Sequence, residues 1–359
     1  MINHLTQSQF LKEKQIMKKG FFLFKLIKSS FAISLFFVVT VPSISIAAND
    51  HDADPLPSWN EGPNKTAIFN FIEEVTAQNS PNFVPVEDRI ATFDLDGTLL
   101  VEKPLPAQGQ FLLEQSRNFL LSPLKAASSI VQSILSLDFK DLYKMNEMEI
   151  TNLLSKLYQG LSYTEYQSDI KNWLQTSVHS EISQPFGDLF YQPMVEVIKL
   201  LQDHEFSVFI VSGSGHEFIR VLADVYQIVP KNCVIGTTVK TKYENKKNKP
   251  SLFLTGQVLR ENNHGGKVEG IQLHIGKKPI AVFGNSDGDK EMIEWAQSEE
   301  GAKLLVLVHH DDEKREYAYD QNAHMGKLSK KTMQIANERG WLTVSMKDDW
   351  NKVFITKHI

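Results

Sequence analysis

Residues 91–100, ATFDLDGTLL, place two aspartates, Asp94 and Asp96, where an apolar run stops and a Gly-Thr pair begins. Two carboxylates at close range repel, and the arrangement persists only with a cation between them or a shared proton. An isolated DLDG would read as a capping aspartate followed by an Asp-Gly turn. Here it is followed along the chain by Ser212 in VSGSG, Lys267 in GGKVEG, and Asn285, Asp287 and Asp289 in GNSDGDKEM. That set has the anions, the hydroxyl and the cation of a polar reaction site.

Apolar periodicity predicts the elements that must hold these residues. Ile68, Phe71, Ile72 and Val75 have helical spacing within KTAIFNFIEEVTAQ, and RIATF reads as a short buried strand ending at Asp94. FSVFIV predicts a strand ending at Ser212, and PIAVF another that ends in Gly284 and runs into NSDGD. Ligands of open α/β sheets bind in the crevice at the carboxyl ends of the strands, so three separate stretches point at one place. There, where the chain leaves the strand, Asp94 and Asp96 can both face the crevice.

Helices are predicted over MVEVIKLLQDH, HEFIRVLADVY, GKVEGIQLHIG and from DKEMIEWAQS onward, with a hairpin over TVKTKYENKKNKPSLFLTGQVL and a strand at LLVLV. The hairpin tip ENKKNK reads as a solvated turn. Strands alternating with helices give an α/β fold with a mainly parallel sheet. From Pro104 to about Pro185 there is almost no strand signal, but GQFLLEQSRNFLL, LKAASSIVQSILSL, EITNLLSKLYQGL and EYQSDIKNWLQTSV are helical patterns. This stretch is an all-helical insertion.

DLDGTL, VSGSG, GGKVEG and GNSDGDKEM, in that order, resemble the four motifs of the haloacid dehalogenase superfamily of phosphohydrolases, over about Arg89 to Trp295. The insertion after the first motif resembles the mobile cap of the phosphoserine-phosphatase-like branch, as does LFLTGQVL before Lys267. The resemblance implies a Rossmann-like core and a small phosphorylated metabolite as substrate. It also implies that Asp94 attacks phosphorus to form an aspartyl-phosphate, and that Asp96 protonates the leaving oxygen and then takes a proton from water. A magnesium ion would be held by the Asp94 carboxylate and the Asp96 backbone carbonyl, with Asn285 and Asp289 at the fourth motif. A phosphoryl group in transfer spreads negative charge over its oxygens. Thr98, the Ser212 hydroxyl, the Gly213 amide and the Lys267 ammonium would bind it.

Two departures bear on substrate and metal. The nearest match to the branch's substrate-binding glutamate, Glu102, lies one position early, and Arg117 does not align with its substrate arginine. Asn285 stands where an aspartate is commonest, so Asn285→Asp is expected to keep activity or tighten metal binding. Asp287, between Asn285 and Asp289, is the weaker ligand candidate.

Lys12, Lys14, Lys18, Lys19, Lys25 and Lys28 precede an uncharged stretch from Ser29 that runs into SISIAAND. That is a basic start, an apolar middle and a small-residue cleavage site, with Ser45 and Ala47 at the small positions. Met17 opens an MKKG of the kind that begins such signals. The expectation is a signal peptide over 1–47 and a protein exported to the periplasm or secreted, without stable membrane insertion after cleavage. An uncleaved anchor is the other reading. The chain has net charge −5, and removing six lysines and Glu13 with the signal leaves it near −10. An acidic chain lacks the clustered cations that a nucleic-acid backbone needs. Cys233 is the only cysteine, which excludes an intramolecular disulfide. The expected organisation is signal 1–47, first core part 48–103, helical cap 104–185, and second core part with a C-terminal extension 186–359.

Other motif readings fail. GSGHEF lacks the third glycine of a dinucleotide fingerprint, Val268 follows Lys267 where a P-loop needs Ser or Thr, and Arg220 stands where HEFIR would need histidine to bind zinc. HHDD, His309 to Asp312, has metal-ligand residue types but follows a strand and reads as an ordinary loop. Two rivals remain. A haloacid dehalogenase has no use for the acid at Asp96, and an exported phospholigand-binding protein has no need of the full catalytic set.

Overall fold

The structure, a computed structural model, describes residues 54–121, 128–137, 141, 144–246 and 248–355. The expected signal segment lies outside the described residues. Seven strands form one sheet in the order β4-β3-β2-β1-β5-β6-β7. They are β1 Ile90–Phe93, β2 Ser207–Gly215, β3 Val234–Lys246, β4 Lys249–Arg260, β5 Ala281–Gly284, β6 Leu304–His309 and β7 Leu342–Ser345. Every neighbouring pair is parallel except the β3–β4 hairpin. β1 is central, with Phe93 level with Ile210 of β2 and Phe283 of β5. The carboxyl ends of three strands therefore meet beside Asp94.

Strands covered on both faces are apolar throughout, and their two faces separate by period two. Ala91, Phe93, Ala281, Phe283, Leu304, Val306 and Val308 join one core cluster, while Val282, Leu305 and Leu307 belong to another. The first face is covered by α1 Pro63–Thr76 through Ile68, Phe71, Ile72 and Val75, as their spacing predicts, and by α6 Gln192–Asp203. The second is covered by α8 Gly265–His274, α9 Lys290–Gln297 and α10 Lys330–Arg339. Phe93 stacks on Phe283 at 4.1 Å and 6° directly before Asp94 and Gly284. A buried phenylalanine is worth about 3–5 kcal/mol against alanine, so the strand end that carries Asp94 is firmly seated.

Between β1 and β2 the described part of residues 104–185 holds α2 Ala107–Leu120, α3 Ser129–Leu135, α4 Glu147–Leu157 and α5 Tyr163–Thr176. Two of them start where short-range chemistry dictates. Asn146 with Glu149 and Ser162 with Glu165 form capping boxes at the starts of α4 and α5. Their apolar sides are not independent of the rest. Phe111 and Trp173 pack against Phe218 of α7 His216–Tyr226, at 5.6 Å and 6.0 Å, and Tyr166 packs on Phe111.

β2 continues to Gly215, four residues past the apolar run that predicts it, with a register shift against β3 between Val211 and Gly215. Polar side chains hold the extension: Asn262 Nδ2 donates to Ser212 O at 2.9 Å and Thr237 Oγ1 to Gly213 O at 2.6 Å. α10 and β7, which the apolar pattern does not predict, complete the far edge of the sheet. Among the described residues no helix is long and apolar enough to cross a membrane.

Candidate active site

The site is built outward from Lys267. Its ammonium has three donors and all three are used: Asp94 Oδ1 at 2.5 Å, Asp289 Oδ1 at 2.7 Å and Val211 O at 2.8 Å. α8 begins at Gly265, which places Lys267 in its first turn and aims it across the ends of β1 and β2. Burial alone would push the lysine's pKa down, but Asp289 and Asp94 override it and hold it above the ordinary lysine value. Lys267 is thus a fixed positive charge.

Asp289 is locked on its other oxygen too. Oδ2 accepts from the amides of Asn285 and Ser286, both at 3.0 Å, and from Ser286 Oγ at 3.1 Å. Its carboxylate shapes the turn after β5 as well as facing Lys267. Asp287 faces elsewhere: its Oδ1 accepts from the Ser329 amide and hydroxyl, both at 2.9 Å, at the start of α10. Of the acids in GNSDGD, Asp289 joins the site and Asp287 fastens a helix.

Asp94 and Asp96 are each 6% exposed. The turn that brings them together needs Gly97 at φ +80, where the Leu95 carbonyl accepts from the amides of Thr98, Leu99 and Leu100. Asp96 Oδ2 accepts from Ser214 Oγ at 2.8 Å. Burial raises the Asp96 pKa, the Ser214 bond opposes this, and Glu102 and Glu147 raise it further, to about 7. Burial and Asp289 push Asp94 upward as well, against the pull of Lys267. The two aspartates therefore differ in kind: Asp94 is ion-paired, whereas Asp96 can carry a proton near neutrality.

Ser212 Oγ accepts from the Ser214 amide at 3.1 Å beside Gly213. The Thr98 hydroxyl donates to Asn285 Oδ1 at 3.2 Å, which ties Thr98 to Asn285. The structure thus brings Asp94, Asp96, Thr98, Ser212, Gly213, Lys267, Asn285 and Asp289 to one place.

Several residues here carry no sequence signal. Gln108 of α2 accepts from the Gly215 amide at 2.7 Å. Glu147, the first residue of α4, is half-buried over Gly213 and accepts from Asn263 Nδ2 at 3.3 Å. Burial pushes the Glu147 pKa up. From the C-terminal side, His310 contacts Gly97 O at 2.7 Å through Nε2 and Glu316 at 3.1 Å through Nδ1, while Tyr319 donates to Glu102 at 2.6 Å. The loop reading of HHDD misses this. His310 is fully buried and points into the site's support, while Asp311 and Asp312 are taken up by Ser345 and Arg315. Only an acidic residue at a helix start hints at Glu147, and nothing in the pattern marks Tyr319.

Among the described residues no three His, Cys, Asp or Glu side chains converge as a metal cluster. The oxygen donors at the strand ends are of another kind: the Asp94 carboxylate and Asn285 Oδ1, with Asp289 behind them. Four buried acids, Asp94, Asp96, Glu102 and Asp289, lie against two buried ammonium groups, Lys103 and Lys267, an excess of acidic groups. Hard oxygen donors with that excess suit a small divalent cation. Burial is the main cause of the upward shifts of Asp94 and Asp96, and neighbouring carboxylates add to it.

The family model for haloacid dehalogenase-like hydrolases matches residues 91–294, which spans β1 to α9 and all four motifs. The chain belongs to this family. Its fold is similar to a protein of unknown function from Bordetella pertussis Tohama I (15% identity, TM-score 0.45, covering 71% of this chain and 97% of that one). It is also similar to a conserved functionally unknown protein from Anaerococcus prevotii DSM 20548 (15%, 0.47, 72% and 89%). A phospho-aspartyl intermediate analogue of phosphoserine phosphatase is similar at 15% identity, TM-score 0.36, 72% and 93% coverage. No curated protein matches. The chain is a hydrolase of the haloacid dehalogenase family, with an α/β core and helices inserted after the first motif.

Proposed function

We propose that this family member is an exported, magnesium-dependent phosphomonoester hydrolase. One observation carries the reading: the two aspartates have different partners, Asp94 ion-paired with Lys267 and Asp96 hydrogen-bonded to Ser214, with burial pushing the Asp96 carboxyl up to about 7. Displacement at phosphorus with an oxygen leaving group needs that pair, a nucleophile and a proton donor. Removal of a halide needs only the nucleophile.

In the reaction an Asp94 oxygen bonds to phosphorus as the bond to the leaving oxygen breaks, and Asp96 delivers its proton to that oxygen. Water then attacks phosphorus as the bond to the Asp94 oxygen breaks, Asp96 takes the water's proton, and inorganic phosphate leaves with the Asp94 carboxylate restored. Lys267, the Ser212 hydroxyl and the Gly213 amide face the charge spread over the phosphoryl oxygens. Asp94, the Asp96 carbonyl and Asn285 would hold a magnesium ion, with Asp289 supporting; when bound, it offsets the repulsion between the incoming phosphate and the carboxylates. The substrate is a small phosphorylated metabolite. Export rests on the lysine-rich start, the apolar stretch and the small-residue site at Ser45 and Ala47.

One preparation tests both parts. Protein recovered outside the cytoplasm should begin near Ala48 by N-terminal sequencing and release phosphate from monoesters only with magnesium. Asp94→Asn should lower that rate by more than about 10³-fold, the scale expected when a nucleophile is removed. Turnover by Asp94→Asn near the wild-type rate would remove Asp94 as nucleophile, and a cytoplasmic protein starting at Met1 or Met17 would overturn export.

A further inference from the structure

Asn285 is the one uncharged side chain in the expected metal-binding set, and it is not alone. Its Nδ2 donates to Glu102 Oε1 at 3.1 Å while its Oδ1 accepts from Thr98. A side-chain amide has a donor end and an acceptor end, and an ionised carboxylate can only accept. Glu102 therefore fixes which way the amide points, with its nitrogen toward the glutamate and its oxygen toward Thr98 and the site. A carboxylate at position 285 would have no donor to offer and would set like charge against like charge at the same spacing.

Glu102 is itself held in place. Oε1 also accepts from Tyr319 OH at 2.6 Å, and Lys103 Nζ lies 3.8 Å away, seated 4.2 Å over the Tyr319 ring and donating to Met325 O at 2.8 Å. Gly97 and Gly326, at φ +80 and +65, close on the carboxylate from two sides. A Cβ on Gly97 would strike Asn285 Nδ2 and Glu102 Oε1, and one on Gly326 would strike Glu102. Two glycines, a tyrosine and a lysine thus make room for a single carboxylate whose other partner is Asn285.

We propose that Glu102 is a positioning residue that holds Asn285 as a neutral oxygen donor to the ion, and that Tyr319 of the C-terminal segment holds Glu102. The proposal rests on the magnesium-dependent reading above. It reverses the expectation drawn from the fourth motif: here an aspartate at position 285 is harmful, because Asn285 and Glu102 are matched. Partners that orient a metal ligand change metal affinity by about 10- to 100-fold when removed.

The test is magnesium binding by calorimetry to the chelator-treated protein, with thermal midpoints of the same metal-free samples. Asn285→Asp should weaken binding at least about tenfold. The double variant Glu102→Gln/Asn285→Asp should recover most of it, since a glutamine amide can donate to the new carboxylate. Tyr319→Phe, which removes one hydroxyl, should weaken binding several-fold with a small loss of midpoint. Asn285→Asp binding as tightly as wild type, or a double variant no better than the single, overturns the pairing. Lowered midpoints in all variants with unchanged affinity overturn the positioning role. Wild-type protein that takes up no magnesium removes the metal reading itself, and that outcome needs no variant.

Discussion

Two regions outside the shared motifs reach the same strand ends from different sides, and they do so by different physics. The inserted helices touch the site through Gln108 and Glu147, neutral or half-buried groups joined by single hydrogen bonds. The segment after β6 reaches it through a buried charged pair and an aromatic hydroxyl: His310 on Gly97, Glu316 bridging His310 to Tyr191 at 3.0 Å, and the half-buried Tyr319 on Glu102. Breaking a buried ion pair strands a charge in low dielectric, whereas losing a single hydrogen bond of a neutral group costs less. The first side can adapt to a substrate and the second fixes the geometry that substrates meet.

The largest expected effect breaks the rigid side. His310 lies between a carbonyl oxygen and a carboxylate, both acceptors, so both ring nitrogens must donate. Burial pushes its pKa down, but Glu316 overrides this and raises it above the ordinary histidine value. His310→Ala strands Glu316 beside Tyr191 and should cost about 3–5 kcal/mol. In a domain of this size that is a fall in melting temperature on the order of 10 °C by calorimetry. A fall within 2 °C, of the size expected for a surface change, would mean that the C-terminal segment is no more rigidly attached than the insertion.

What the sequence reveals of this contrast is one-sided. Asp94, Ser212 and Asn285 were legible because each follows an apolar run that can only be a buried strand, and such ends gather at one edge of a parallel sheet. The helices of the insertion were legible from apolar spacing, and the structure adds the local caps Asn146 and Ser162 at the starts of two of them. β7 was not, since LTVS is four residues with two apolar ones, and its strand character comes from pairing with β6. The Glu102–Asn285 and Tyr319–Glu102 contacts join residues 183 and 217 positions apart, and no local preference encodes them. The same packing corrects the plainest experiment on the insertion: because Phe111 and Trp173 share their core with Phe218, cutting out 104–185 would expose apolar core, so single substitutions are the sharper tool.

A smaller effect comes from metal and pH together, with its sign set by Asp96. The group titrates at 3.8 unfolded and about 7 folded, so the metal-free protein loses stability as pH rises through that window. A cation held by the Asp94 carboxylate competes with the proton that burial favours there and repels the one on Asp96, so its stabilisation grows as pH rises. The gain in melting temperature from saturating magnesium should be small at pH 5 and several degrees at pH 8; a ligand present at 100 times its dissociation constant adds about 2.7 kcal/mol. Equal gains at both values would place the ion away from the Asp94 carboxylate. His310 is internal to the rigid side, so His310→Ala should lower both curves without changing the difference between them.

The smallest effect belongs to the adaptable side. Glu147 opens α4 above Gly213, and its charge is one of those that hold the Asp96 pKa up. Glu147→Gln keeps the length and an oxygen for Asn263 while removing the charge. The cost to stability is confined to an anion at a helix N-terminus, about 0.3–1 kcal/mol, hence a change of a degree or two in melting temperature. Kinetics should register it more clearly. With less negative charge nearby, Asp96 holds its proton less tightly, so the fall in rate at high pH should begin at lower pH for esters with poor leaving groups. Esters of activated phenols, which leave without a proton, should keep their profile. KM should change several-fold and differently for substrates of different charge, because Glu147 lies over Gly213, beside the expected phosphoryl site. An altered melting temperature with no change in either profile would place Glu147 with His310 as framework and erase the difference between the two sides.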